Sequence, residues 1–120
     1  MGLIRIPVTL RAPGTTNGSY QAAFLVDTGA TDSMAPASEL ASAGIQQVGR
    51  KAYELVDGRI VEYAFGLAQI EFMGEITAGR VIFGPEAVGP ILGVTALESA
   101  GVSVDPVTHA LRRLPAIPLK

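Results

Sequence analysis

The chain has 120 residues, of which 48% are hydrophobic and 17% charged, with a net charge of −2; that balance excludes a disordered chain and allows one packed core, at a length too short for two ordinary domains. Zero cysteines exclude disulfides, thiol nucleophiles and thiolate metal sites, and a single histidine, His109, excludes a multi-His zinc centre. No nucleic-acid partner is expected, because Trp is absent and the only adjacent basic pairs are Arg50–Lys51 and Arg112–Arg113.

Fourteen glycines and eight prolines without a three-residue period predict many short strands separated by turns. Leu3 to Arg11 alternates, with Ile4, Ile6, Val8 and Leu10 on one face, so it reads as a half-buried strand; Pro7 points to an edge or a terminal position. Pro13-Gly14 and Asn17-Gly18 turn the chain into a second strand near Ser19 to Val26. A short helix is expected over about Pro36 to Ala43, with proline at its start and Gly44 at its stop. Arg50 to Val56 and Arg59 to Phe65 flank Asp57-Gly58, a strong hairpin signal, with Asp57 suited to a type I′ turn. A further hairpin turns at Met73-Gly74, joining Leu67 to Phe72 with Ile76 to Phe83. Pro90 to Gly93 is short and apolar, and Thr95 to Ala100 suits one or two helical turns stopped by Gly101. Val102 to Asp105 and Ala110 to Leu114 form a last hairpin, and prolines extend the tail. About eight strands and two short helices in this spacing predict an all-β fold of barrel type, one domain over 1–120.

No membrane partner is expected. The charge-free stretch from Ala87 to Leu97 is 11 residues and is broken by Gly89, Pro90 and Gly93. The N-terminal segment lacks the long apolar run of a signal peptide, and Met1-Gly2 is followed by Ile6 where a myristoylation signal needs Ser or Thr. The expected location is the cytoplasm.

The chemistry concentrates at Phe24-Leu25-Val26-Asp27-Thr28-Gly29-Ala30-Thr31. An apolar run delivers one carboxylate at its end, where partial desolvation would push its pKa toward the working range of an acid or base. Gly29 lets the backbone turn sharply or approach a ligand, and the Thr28 hydroxyl can tie the loop to a neighbour. A lone Asp-Thr-Gly is a weak signal, since Asp27 can simply cap an Asx-type turn.

The motifs together are more specific. The sequence from Phe24 to Thr31 resembles the catalytic loop of the retropepsin-like aspartic proteases. The Tyr53-to-Tyr63 hairpin resembles their flap, and Ile91-Leu92-Gly93 resembles the hydrophobic-hydrophobic-Gly element of their second half. Leu97 to Gly101 and Val102 to Asp105 resemble the helix and strand that follow, as in the small bacterial members. The resemblance implies a small closed acid-protease β-barrel with one or two short helices, acting as a homodimer on a peptide or protein substrate without metal or cofactor. Asp27 would be the catalytic residue, Thr28 would brace the loop across the dimer, and Gly29 would meet the peptide main chain. Ala30 and Thr31, with Val56, Asp57, Gly58 and Arg59 at the hairpin tip, would bind substrate. Elementary chemistry agrees with pairing: hydrolysis by carboxylates alone needs one ionised and one protonated near a single water, and this chain carries one Asp-Thr-Gly.

Other residues have plainer readings. Asp32 is expected to face solvent, and His109 to sit in a surface turn with no serine and acid selected to join it. Glu54, Glu62, Glu71 and Glu75 read as the wet faces of hairpins, without the spacing of a metal site. The alternative from another class is a catalytically silent dimeric β-domain for peptide binding or protein assembly, which shares every fold-level feature.

Overall fold

A computed structural model describes residues 3–119; Met1 and Gly2, read above for a myristoylation signal, lie outside them. The alternation in the N-terminal segment produces strand β1 (Arg5–Arg11), which buries Val8 and Leu10 and half-buries Ile6. It pairs antiparallel with β2 (Tyr20–Asp27), Arg5 opposite Leu25 and Leu10 opposite Tyr20. After β2 the chain forms β3 (Ser33–Pro36) and helix α1 (Ala37–Ser42). A hairpin follows, made of β4 (Gly49–Glu54) and the 13-residue β5 (Ile60–Phe72), and β5 turns at Met73-Gly74 into β6 (Glu75–Gly84). Both turn residues have positive φ, 54° and 76°, as a type I′ turn requires. Then come β7 (Ile91–Gly93), α2 (Val94–Ser99), β8 (Val102–Val104) and β9 (Leu111–Arg113).

The strands close on themselves. The sheet order is β1-β2-β7-β3-β6-β5-β4, and β5 also pairs with β1 through Thr9–Glu71 to Arg11–Gln69. The ring is therefore a closed six-stranded barrel with β4 attached to the outer half of β5. Closure pairs the six ring strands on both sides and leaves β4 as an edge strand of the sheet. Pro7 is tolerated because β5 reaches β1 only at Thr9 to Arg11, leaving that side of β1 unpaired at Pro7. Phe24, Leu10, Ile70 and Leu92 fill the barrel, with Leu40 from α1 and Leu97 from α2 packed against them.

Three local expectations are revised. β3 was not foreseen: Ser33 to Pro36 has no alternation, and long-range pairing with β6 and β7 makes it a strand. The two apolar runs read as separate strands around Gly66 are one continuous β5. The Asp57-Gly58 turn is not type I′, because only Gly58 has positive φ, 87°. The Gly58 N–H donates to the Leu55 carbonyl and the Leu55 N–H to the Arg59 carbonyl, closing a turn with a glycine bulge.

Candidate active site

β2 ends on Asp27, and β7 runs parallel to it with Gly93 opposite Asp27. The Asp27 side chain is half-buried, and its Oδ1 accepts a hydrogen bond of 2.9 Å from the Gly29 N–H. The Ala30 N–H donates to the Asp27 carbonyl, which tightens the same turn. The loop is then tied to the start of α2: the Val94 N–H donates to the Ala30 carbonyl at 2.8 Å and the Thr95 N–H to the Thr31 carbonyl at 3.2 Å. The buried Ser33 Oγ accepts from the Gly93 N–H at 3.0 Å. A Cβ at position 93 would lie 2.6 Å from the Asp32 carbonyl carbon and 2.8 Å from the Thr31 oxygen. Only glycine lets the loop cross β7 this closely, so Asp-Thr-Gly and Ile-Leu-Gly are two halves of one backbone crossing.

A cleft of about 510 Å³ opens beside this loop. Asp27, Gly29, Ala30 and Thr31 lie along one side of it, and the β4 hairpin, from Lys51 to Val56, along the other. Met34, Ile82 and Ile91 supply an apolar wall from the barrel. Thr28 faces away from this cleft. It is exposed and lines a second hollow of about 360 Å³ with Leu97 and Glu98 of α2. At the hairpin tip, Val56 reaches the cleft, while Asp57, Gly58 and Arg59 lie outside its lining. Asp57 instead accepts from the Arg59 backbone N–H at 3.0 Å and from Arg59 Nε at 2.7 Å. Those hydrogen bonds, the backbone one first, hold its carboxyl below the usual carboxylate range.

Asp32 does not face solvent. It is 7% exposed, and its Oδ2 accepts 2.7 Å from the Tyr53 hydroxyl and lies 3.1 Å from Arg80 Nε. The loop crossing at Gly93 turns Asp32 inward, and two donors offset the burial of its charge. Burial first, and then the hydrogen bond to Asp32, push the Tyr53 phenol up to about 12. The Arg80 guanidinium sits 5.5 Å over the Phe65 ring. Ser33 and Arg80 escaped the sequence reading, which has Tyr53 only as the start of the hairpin, because Tyr53 and Arg80 join Asp32 only through tertiary pairing and carry no local motif. His109 lies in an exposed turn with φ 58°, its N–H bonded to the Asp105 carbonyl.

A closed all-β barrel that lays an Asp-Thr-Gly loop along a cleft beneath a hairpin is the architecture of the small acid proteases. The chain belongs to the aspartyl protease family, in its retropepsin-like group; the family model matches residues 12–96. The match takes in β2, the Asp27 loop, the hairpin and β7, and ends within α2. No curated protein matches the chain. Among the described residues, no cluster of three or more His, Cys, Asp or Glu could hold a metal ion, and no helix is long and apolar enough to cross a membrane.

Proposed function

We propose that the protein is an aspartic endopeptidase whose active unit is a homodimer, with one Asp27 from each chain flanking a single water. The observation that carries this reading is the position of Asp27, at the end of β2 beside a cleft of about 510 Å³ that the hairpin also lines. Two carboxylates about 3 Å apart cannot both carry a full charge, so the pair holds one proton between them. The ionised Asp27 takes a proton from water as its oxygen attacks the scissile carbonyl. The protonated partner gives its proton to the carbonyl oxygen, and the tetrahedral diol forms. Collapse breaks the C–N bond: the carboxyl that took the water proton gives it to the departing amine, the ionised partner takes a proton from one diol hydroxyl as the new carboxyl group forms, and the shared-proton state returns. Gly29, Ala30, Thr31 and Val56 line the cleft; on this reading Gly29 and Ala30 meet the peptide main chain, Thr31 flanks it, and Val56 closes over it from the hairpin. Thr28 lies on the α2 side; on this reading it meets the partner chain, and Asp57, Gly58 and Arg59, tied together at the tip, shape the hairpin that closes.

One observation favours a non-catalytic reading: the Gly29 N–H on Asp27 Oδ1 is an Asx-type turn, which a silent binding domain would also use. Asp27→Asn separates the two, because Asn keeps the acceptor oxygen and loses the ionisable group. The expected outcome is a folded variant in which acid-to-neutral peptide cleavage falls by roughly a thousandfold or more. An undiminished cleavage rate removes Asp27 from catalysis. Sedimentation is expected to give twice the 12.4 kDa chain mass at micromolar concentration, and a pure monomer that still cleaves peptide contradicts the shared site.

A further inference from the structure

The hairpin beside the cleft has little to hold it down. β4 is an edge strand, paired on one side with the outer half of β5. From Arg50 to Glu54 only Tyr53 is half-buried, and Val56 at the tip is fully exposed. Among the described residues, the Tyr53 hydroxyl on Asp32 is the one side-chain hydrogen bond between the hairpin and the Asp27 loop. Its acceptor is well anchored. Asp32 is buried five residues beyond Asp27, its second partner is Arg80 from β6, and no buried side-chain polar atom in the described chain lacks a partner.

We propose that Tyr53 is a positioning residue for the cleft, its hydroxyl on Asp32 acting as a pillar that fixes the height of the hairpin above the Asp27 loop. The kinetic part of this inference rests on the protease reading; the pillar itself does not. A hairpin already held at its working height has less freedom to lose when a peptide enters, so the pillar strengthens binding by preorganisation. The chemical step at Asp27 does not involve the Tyr53 hydroxyl, so turnover of bound peptide is largely untouched. The role assigns the hairpin's control point to the base of its tip, at Tyr53, rather than to the tip residues themselves.

Tyr53→Phe tests this cleanly. The ring packing against Tyr63, 6.2 Å between centroids, is kept, and Asp32 keeps Arg80. Amide hydrogen exchange across residues 49–62 is expected to quicken by roughly tenfold, the scale of a lost hydrogen bond to a charged group, while β1 and β2 keep their protection. Asp32→Asn, which leaves an acceptor for the hydroxyl, is expected to retain hairpin protection that Asp32→Ala loses. On a cleaved peptide, Tyr53→Phe is expected to raise KM by roughly tenfold with kcat within about twofold. Hairpin exchange unchanged in Tyr53→Phe, or quickened equally in β1 and β2, overturns the pillar. Exchange decides this even if wild type cleaves no peptide, an outcome that sinks the protease reading alone. Cleavage by wild type with KM and hairpin exchange both unmoved in Tyr53→Phe sinks the pillar alone.

Discussion

At position 93 a hydrogen atom does what no side chain could. The Thr31–Asp32 backbone passes so close to Gly93 that a methyl group would overlap it at 2.6 Å, and backbone on both sides leaves nothing flexible to yield. Gly93→Ala is expected to cost about 1–3 kcal/mol, the range for forced overpacking, read as a lower urea midpoint with unchanged slope. Ser33→Ala attacks the same crossing from below. It strands the buried Gly93 N–H without its 3.0 Å acceptor, with an expected loss of about 1–3 kcal/mol. Wild-type stability in both variants would mean that the loop does not lie against β7 as described. Tyr53 offers a spectroscopic check at the same scale. Its phenol is raised from 10.0 to about 12, by burial first and then by the Asp32 hydrogen bond. A raised folded-state pKa means that the protonated phenol contributes stability fully below pH 10.0, and that this contribution is lost as pH rises through about 12. Phenolate absorbance should therefore show a last step near pH 12 that Tyr53→Phe deletes; deletion of an earlier step instead contradicts the bond.

Elements that announce themselves by local pattern were legible, and those created by long-range pairing were not. β1 alternates, α1 begins after a proline and ends before a glycine, and Met73-Gly74 supplies two positive-φ residues in sequence. All three are settled within a few residues of chain. β3 is settled by strands far away, in parallel register with β6 and antiparallel contact with β7 at Met34–Ile91, so nothing in Ser33 to Pro36 signals it. The site divides the same way. Asp27, Gly29 and Gly93 are visible as motifs, whereas the inward Asp32 finds its partners only in Tyr53 and Arg80, 21 and 48 residues further on. The hairpin tip makes the distinction testable. A Cβ at Gly58 would meet nothing within 4 Å, yet φ is 87°, so Gly58→Ala adds backbone strain and no clash. The expected cost is about 1–2 kcal/mol, borne by the hairpin. Exchange should quicken from Leu55 to Arg59 while the barrel strands hold. A tip as protected as wild type would mean that the turn had relaxed to negative φ without loss.

On the dimeric reading, the whole molecule is half of a symmetric machine, and the geometry of the Asp27 loop says which half of its surface must be covered. Asp27 faces the cleft, and Thr28, the next residue, faces the α2 side and is exposed. If a two-fold axis brings two Asp27 carboxylates to one water, the residue beside Asp27 lies close to that axis and meets its own copy. The absence of cysteine makes this easy to interrogate, since one introduced thiol is the only thiol in the chain. Thr28→Cys is expected to form a covalent dimer under mild oxidation, because disulfides need Cα atoms only about 5.5–6 Å apart and symmetry brings the two positions together. Asn17→Cys is the control. It precedes β2 at the end opposite Asp27, and a strand of this length separates the two ends by roughly 23 Å. On this reading Asn17→Cys stays monomeric on a non-reducing gel while Thr28→Cys runs at twice the mass. A protein that sediments as a dimer but crosslinks through position 17 and not through position 28 would have joined by another face. The two Asp27 side chains would then be too far apart to share a water, and one chain's cleft would have no means of cutting a peptide by paired carboxylates.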